Sequence, residues 1–278
     1  MPLYRAHAGD GVVWITGASS GIGRALALQL AHRGYVVAAT ARASDSLDRL
    51  AAESERMSGA IRAFPCDVTD RDAMHGTVGE IETLMGPIRL AVFNAGLYLP
   101  THGEAISIDD FLTTFEVNVF GTLHGLGPVV ERMKANGRGH VVFVGSVSGY
   151  TGLPAASAYG ATKAALNNMA ESLSFDFEKM NIRTQVVNPG FIDTPATEQN
   201  DFEMPALMPV EKAVDAMIAG IEDGGFEITF PRRFTYALKI LRLLPHPLYF
   251  ACMKRLTGWR TRPLDFRGTT PAAVKQTV

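Results

Sequence analysis

Short apolar runs alternate along the chain with longer stretches that are typical of helices. The short runs are nearly continuously apolar, which favours parallel strands that are buried on both faces over strands with one solvated face. The predicted strands are "VVWIT" (12–16), "YVVAAT" (35–40), "IRAFPC" (61–66), "LAVFN" (90–94), "HVVFVG" (140–145), "RTQVVN" (183–188) and "FEITF" (226–230). The predicted helices are 21–33, 45–57, 70–85, 109–134, 157–180 and 210–223.

This alternation predicts an α/β fold. Successive strand–helix–strand units form right-handed crossovers, which build a doubly wound parallel sheet with helices on both faces. We expect a single-domain, Rossmann-like fold of about seven strands over residues 1–230. A helical extension, residues 231–278, is expected to pack on the same domain.

The extension differs from the rest of the chain in charge. Residues 231–263 carry eight Lys/Arg and no Asp/Glu, and two short apolar helices are predicted on either side of "PHP" (245–247). Two roles stay open: a cover for a substrate pocket or subunit contact, or a basic amphipathic surface for peripheral contact with anionic lipid.

Composition excludes several classes of function. A net charge of −2 does not favour nucleic-acid binding. Cys66 and Cys252 cannot form a disulfide framework, and neither cysteine nor histidine spacing predicts a metal site. The first residues lack the apolar segment of a signal peptide, and no apolar run is long enough to span a membrane. We therefore expect a cytoplasmic protein.

A glycine-rich stretch, "TGASSGIG" (16–23), joins the first strand to the first helix. Glycines there allow a tight turn and close approach of a phosphate, and the helix N-terminus offers free N–H groups to a pyrophosphate. The strand–turn–helix context predicts a dinucleotide cradle. The expected contacts are Gly17, Ser19, Ser20, Gly21, Ile22 and Gly23.

The end of the second strand carries Arg42 where an acidic residue would recognise a free ribose hydroxyl. A guanidinium can hold a 2′-phosphate, so NADP(H) is favoured and NAD(H) remains the alternative. Further contacts are predicted at the ends of strands three and four: Asp67, Val68, Asn94, Ala95 and Gly96.

A polar trio follows the fifth strand. Ser146 ends that strand, and Tyr159 and Lys163 are four residues apart on one face of the next helix. An ammonium beside a phenol favours the phenolate, so we expect Lys163 to lower the pKa of Tyr159 and fit it for general acid/base work.

Together these motifs resemble the short-chain dehydrogenase/reductase family, from about Val12 to Phe230. The resemblance rests on "TGASSGIG", "DV" (67–68), "NAG" (94–96), "VNVFG" (117–121), "VGSVSG" (144–149), "YGATK" (159–163) and "NPG" (188–190). It implies that Tyr159 is the acid/base, that Ser146 polarises a carbonyl, and that Lys163 binds the nicotinamide ribose. It also implies that Asn118 holds a water next to Lys163. The nicotinamide is expected to contact Pro189, Gly190, Ile192 and Thr194.

The sequence thus predicts an NADP(H)-dependent oxidoreductase, and a homo-oligomer, with a dimer favoured. An apolar wall predicts a hydrophobic ketone, aldehyde or secondary alcohol as substrate. Its expected residues lie in 195–210 and nearby: Phe202, Met204, Leu207, Met208, Phe191, Leu97, Tyr98, Leu99 and Leu153. The alternatives are a non-catalytic sensor or scaffold that binds NADP(H), and an epimerase or dehydratase of the same fold.

Overall fold

The computed structural model describes residues 3–198 and 204–261. The strands are β1 (Val12–Thr16), β2 (Val36–Thr40), β3 (Ala60–Ala63), β4 (Ile88–Phe93), β5 (Gly139–Val144), β6 (Ile182–Pro189), β7 (Ile192–Asp193), β8 (Met208–Pro209) and β9 (Glu227–Phe230). The helices are α1 (Gly21–His32), α2 (Ser44–Glu53), α3 (Arg71–Met85), α4 (Ile108–Phe115), α5 (Gly121–Ala135), α6 (Ser157–Lys179), α7 (Val210–Asp223), α8 (Arg232–Arg242) and α9 (His246–Leu256).

Seven strands form one parallel sheet in the order β3-β2-β1-β4-β5-β6-β9. The predicted doubly wound α/β fold is confirmed. The chain reverses its direction of sheet growth between β1 and β4, and in such sheets ligands bind at this switch point, beyond the carboxyl ends of the strands.

Alternate residues of each strand enter two separate cores. Val13 and Ile15 of β1 pack under α1, α2 and α7, whereas Trp14 and Phe93 pack beneath α3, α5 and α6. Trp14 and Phe93 are fully or almost fully buried, and their rings meet edge to face at 5.8 Å. Burying each such side chain contributes roughly 1.5–3 kcal/mol, so the sheet is a rigid platform for the loops at its edge.

Three predicted elements differ from the structure in their bounds or their continuity. β3 stops at Ala63 rather than residue 66, because Pro65 has no N–H to donate; Phe64 and Cys66 still donate to Ala39 and Ala41 of the β2 side. The predicted helix 109–134 is interrupted by a π-helical turn, Glu116–Phe120, between α4 and α5. The predicted helix 45–57 ends earlier, with a 3₁₀ turn at Ser54–Arg56 after α2.

The extension forms two helices, as predicted, with the break at 243–245 rather than 245–247. Leu238 of α8 packs against Val147 and Tyr150, and the Tyr249 hydroxyl of α9 donates to the Gly152 carbonyl at 2.5 Å. Both helices therefore lie beside the loop that follows β5. A domain boundary at residue 230 stays a prediction. Among the described residues, no helix is long and apolar enough to cross a membrane.

Candidate active site

The glycine cradle is tied to the loop after β4 by a set of hydrogen bonds. The Asn94 side-chain amide donates to the Thr16 and Gly17 carbonyls at 3.1 and 3.0 Å. The backbone N–H groups of Asn94 and Ala95 both donate to Thr16 Oγ1 at 3.1 Å. A Cβ on Gly23 would lie 2.3 Å from the Gly17 carbonyl oxygen and 2.4 Å from Asn94 Nδ2. Only glycine fits there, which is the backbone approach that a dinucleotide cradle requires.

The first turn of α1 is suited to an anion. Ser20 caps the helix in an extended conformation, and the residues Gly21–Arg24 include no acidic side chain. Gly21 has a φ of +52°, and a Cβ there would lie 3.5 Å from the Thr194 methyl group. The cradle and the stretch after β6 therefore face each other, as expected of two parts of one cofactor site.

The predicted adenosine contacts lie at the neighbouring strand ends. Arg42 is exposed just after β2, whose Thr40 carbonyl accepts a hydrogen bond from Ala18 of the cradle at 3.1 Å. Asp67 Oδ1 accepts from the N–H and the hydroxyl of Thr69, so this carboxylate stabilises its own turn. Val68 is buried, and its carbonyl lies 3.0 Å from His124 Nδ1.

The structure brings Ser146 and Tyr159 together. Ser146 is buried, and its Oγ accepts hydrogen bonds from the Ser148 hydroxyl at 2.8 Å and the Ser148 N–H at 3.2 Å. Its own O–H is thereby left to donate. Burial raises the pKa of the Tyr159 phenol and hydrogen bonding by Ser146 acts to lower it, so the two side chains lie close together. A serine hydroxyl and a phenol therefore lie side by side after β5.

Lys163 lies under the same tyrosine. Its Nζ is 5.4 Å from the centre of the Tyr159 ring and donates to the Val144 carbonyl at 2.8 Å. A Cβ on Gly96 would be 3.3 Å from this nitrogen, so the loop after β4 passes directly over it. The predicted register of Tyr159 and Lys163 on one helix face is confirmed.

The predicted direction of the tyrosine's pKa is wrong for this structure. Burial raises the pKa of Tyr159 to about 12, and the Ser146 hydrogen bond offsets only part of that effect. Burial also lowers the pKa of Lys163 to about 8. The same desolvation opposes charge on both groups, so the lysine's field does not produce a phenolate. Near neutral pH the phenol is protonated.

Asn118 lies in the π-helical turn and is fully buried. Its side chain accepts from the Leu97 N–H at 2.6 Å and donates to the Leu97 carbonyl and to Thr162 Oγ1 at 3.0 Å each. The turn thus clamps the loop after β4 onto α6. A π-helical turn costs helix regularity and is frequent at functional sites.

A second polar network reaches the site from the extension and was not predicted. The Ser146 N–H donates to Asn188 Oδ1 at 3.0 Å, and Asn188 Nδ2 donates to Glu227 Oε1 at 3.0 Å. Tyr150 and Lys239 also donate to the Glu227 carboxylate. The only signal in the sequence is an acidic residue inside the apolar strand "FEITF".

Some of the predicted substrate-facing residues do line this region. The Tyr98 ring meets the Tyr159 ring edge to face at 5.2 Å, and Phe191 contacts Phe234 of α8 at 5.8 Å. Leu207 is exposed, whereas Met208 pairs with Ile192 and packs partly on the core beneath α7. Phe202 lies outside the described residues. Leu97, Leu99 and Leu153 are all half-buried.

Near the predicted nicotinamide side, Pro189 ends β6 and the Gly190 N–H donates to the Phe230 carbonyl at 2.8 Å. The Thr194 N–H donates to Thr197 Oγ1 at 3.1 Å and the Thr197 hydroxyl donates to the Thr194 carbonyl at 2.9 Å, so the two residues close a turn. Within residues 3–198 and 204–261, no group of three His, Cys, Asp or Glu side chains could hold a metal ion.

Comparison with known proteins identifies the family of this chain. The family described as short chain dehydrogenase matches residues 11–204. An uncharacterized oxidoreductase of Myxococcus xanthus is 35% identical over 242 residues, which cover 87% of this chain and 96% of that protein. A 3beta-hydroxysteroid dehydrogenase of Mediterraneibacter gnavus is 30% identical over 219 residues, covering 75% and 79%.

Among solved structures, a short chain dehydrogenase of Burkholderia cenocepacia in complex with NADP has a TM-score of 0.77 and 25% identity. The match covers 89% of this chain and 99% of that one. The family match spans more than half of the chain and the fold agrees. This chain belongs to the short-chain dehydrogenase/reductase family of NAD(P)-binding oxidoreductases.

Proposed function

We propose that this enzyme uses NADP(H) to interconvert a hydrophobic ketone or aldehyde and its alcohol, with Tyr159 as the acid/base. The observation that carries the proposal is the position of Tyr159, whose ring centre lies 5.4 Å from Lys163 Nζ and whose pKa, raised by burial, is partly lowered again by hydrogen bonding with Ser146. Lys163 in turn lies against Gly96, in the loop that Asn94 ties to the glycine cradle. These residues combine a proton donor, a carbonyl-polarising hydroxyl and a cofactor site at one sheet edge.

The cofactor site fits a dinucleotide. The cradle leaves no room for a side chain at Gly23, and the α1 N-terminus faces Thr194 across it. Gly17 to Gly23 would hold the pyrophosphate, and Asn94 to Gly96 together with 189–194 would hold the nicotinamide half. When bound, the nicotinamide supplies or accepts a hydride.

The chain's own residues handle the proton. In the reductive direction, Ser146 donates a hydrogen bond to the carbonyl oxygen while Tyr159 gives its phenolic proton to that oxygen. A protonated Tyr159, which burial favours, is the form that this step needs. Lys163, with a pKa near 8, is able to bind a ribose hydroxyl and to return a proton to the phenolate after turnover. Asn118 would hold the water that supplies Lys163.

Arg42 supports the preference for NADP(H). The side chain is exposed next to the cradle, and a guanidinium there would pair with a 2′-phosphate. Initial rates with NADPH and NADH at equal concentration test this directly. We expect NADPH to be preferred, and Arg42→Ala should raise the KM for NADPH about tenfold while leaving the KM for NADH within twofold. Equal use of both cofactors by the parent enzyme would reject the preference.

The substrate class is supported by Tyr98, whose ring meets the Tyr159 ring edge to face at 5.2 Å, and by the aromatic pair Phe191–Phe234 in the stretch after β6. A panel of small polar and long apolar carbonyls, each assayed for NADPH oxidation, tests it. We expect turnover of the apolar members; turnover of the small polar ones alone would contradict the proposal. Product that forms without stoichiometric NADPH consumption would favour the epimerase or dehydratase alternative instead.

We also infer a cytoplasmic homodimer. Large apolar side chains are exposed on α4, α5 and the end of α6: Ile108, Leu112, Leu123 and Phe175. Burying them against a second copy would remove a substantial apolar surface from water. Light scattering of the purified protein should give a mass of twice 30.0 kDa. A monomer at micromolar concentration would contradict the inference.

A further inference from the structure

The two helices of the extension, α8 and α9, expose several large apolar side chains. Helix α8 is apolar on two faces: Phe234, Leu238 and Leu241 pack toward Val147 and Tyr150, whereas its opposite face is open. Six large apolar residues that are at least half exposed form what we call the extension surface: Tyr236, Ile240, Leu243, Leu248, Phe250 and Leu256. Leu243, at the turn between the helices, is 83% exposed.

The segment that carries this surface is strongly basic. Residues 231–261 carry seven Lys/Arg and no Asp/Glu, although the whole chain has a net charge of −2. Lys239 is paired with Glu227 of β9. The other six are all exposed: Arg232, Arg233, Arg242, Lys254, Arg255 and Arg260.

Exposed apolar side chains together with an excess of positive charge favour one kind of binding partner over another. A second copy of the chain would bring an identical positive surface to a two-fold contact, and like charges that face each other oppose association. An anionic lipid surface supplies the opposite charge to the Lys/Arg side chains and an acyl boundary for the exposed leucines and aromatics. We propose that the extension surface docks on an anionic membrane.

Docking in this way would bring the active site close to the lipid. The inner face of α8 contacts the stretch after β6, since Phe234 lies against Gly190 and Phe191. Tyr249 of α9 holds the Gly152 carbonyl, in the loop between Ser146 and Tyr159. The loops that border the reacting groups thus sit directly behind the docking helices. If the substrate is apolar, as proposed above, it would enter the active site from the membrane side; this inference rests on the proposed function.

Vesicle co-sedimentation of the full chain tests the docking. The probes are vesicles of phosphatidylcholine alone and vesicles with one third phosphatidylserine, at 50, 150 and 500 mM NaCl. We expect binding to the anionic vesicles that falls at least tenfold across the salt series, and little binding to the neutral ones. Equal binding to both vesicle types, or none to either, would overturn the proposal.

Variants on the extension surface, compared with matched variants elsewhere, distinguish binding through this surface from non-specific vesicle binding. Ile240→Ser with Leu243→Ser, and Arg232→Glu with Arg233→Glu, should each reduce vesicle binding at least tenfold. Leu84→Ser on α3 and Arg56→Glu after α2, which alter exposed residues of the same types elsewhere, should leave it within twofold. A change of oligomeric mass in the Ile240 and Leu243 variant, without vesicle binding by the parent, would replace the membrane with a second copy as the occupant.

The experiments can reject the membrane docking and the proposed reaction independently of each other. Vesicle binding by a protein that reduces only polar carbonyls would retain the docking and reject the apolar substrate. Reduction of apolar carbonyls in detergent by a protein that binds no vesicles would retain the reaction and reject the docking.

Discussion

The polar network around Glu227, which reaches Ser146 through Asn188, should contribute to the stability of the fold. The size of this contribution follows from its contacts. Glu227 accepts hydrogen bonds from Asn188, Tyr150 and Lys239. In Glu227→Gln the amide oxygen can still accept from Asn188 and Tyr150, but the charge-assisted bond to Lys239 is lost. Such bonds contribute about 1.5–3 kcal/mol. Because Lys239 is 32% exposed and water can replace its partner, we expect a loss of about 2 kcal/mol in the free energy of unfolding.

This loss should depend on pH with a definite sign. Burial tends to raise the pKa of Glu227, but the donors Lys239, Tyr150 and Asn188 outweigh it, and the net pKa is lowered. A lowered carboxyl pKa stabilises the fold above the unfolded pKa of 4.5, and that stability is lost as the pH falls through the folded value. The deficit of Glu227→Gln should therefore be full at pH 7 and shrink toward pH 3.5.

The assay is urea unfolding followed by circular dichroism at pH 7 and pH 3.5, with thermal melts in parallel. The melting temperature of Glu227→Gln should fall by roughly 5 °C at pH 7. The control is Asp176→Asn, which removes an ion pair whose side chains are 79% and 74% exposed and should change stability by less than about 0.5 kcal/mol. Equal effects of the two variants at pH 7, or a Glu227→Gln deficit that persists unchanged at pH 3.5, would refute the reasoning.

Two further predictions concern the cradle and the buried lysine. Gly23→Ala places a Cβ against the Gly17 carbonyl and the Asn94 amide, so NADPH affinity should fall at least tenfold by fluorescence titration. Gly76→Ala in α3, where a Cβ meets no atom within 4 Å, should leave affinity unchanged and add up to about 1 kcal/mol of stability. For Lys163, the folded pKa of about 8 lies below the ordinary 10.5, so the unfolded chain binds more protons between these values and stability gains with rising pH. Urea unfolding of Lys163→Met should lack this gain, on the order of 3 kcal/mol between pH 7.5 and 10.5. Parallel pH curves for variant and parent would contradict the assignment.

Local signals in the sequence were enough to predict the parallel sheet and the position of Tyr159 and Lys163 on one helix face. The continuously apolar runs predicted strands that are buried on both faces of the sheet. Neighbouring residues of β1 show this, since Ile15 lies in one core and Trp14 in the other. The glycine cradle and the four-residue spacing of Tyr159 and Lys163 depend on short-range geometry, which sequence carries directly.

The features that the sequence did not predict depend on long-range contacts or on burial. Glu227 is 39 residues from Asn188 and 77 from Tyr150, so no local pattern links them. In the π-helical turn, Asn118 is hydrogen-bonded to Leu97, which lies 21 residues earlier in the sequence. The pKa of Tyr159 is set by desolvation, which residue spacing does not reveal. The nearby lysine was therefore not sufficient to predict whether the pKa of Tyr159 is raised or lowered.

The central claim is that the Tyr159 phenol transfers the proton of a dinucleotide-linked carbonyl reduction. It is tested most directly by single-turnover kinetics of Tyr159→Phe with NADPH and an apolar ketone. We predict that the rate of NADPH oxidation falls at least a hundredfold while the dissociation constant for NADPH stays within twofold, since the phenyl ring keeps its contact with Tyr98. A variant that oxidises NADPH within tenfold of the parent rate would contradict the account.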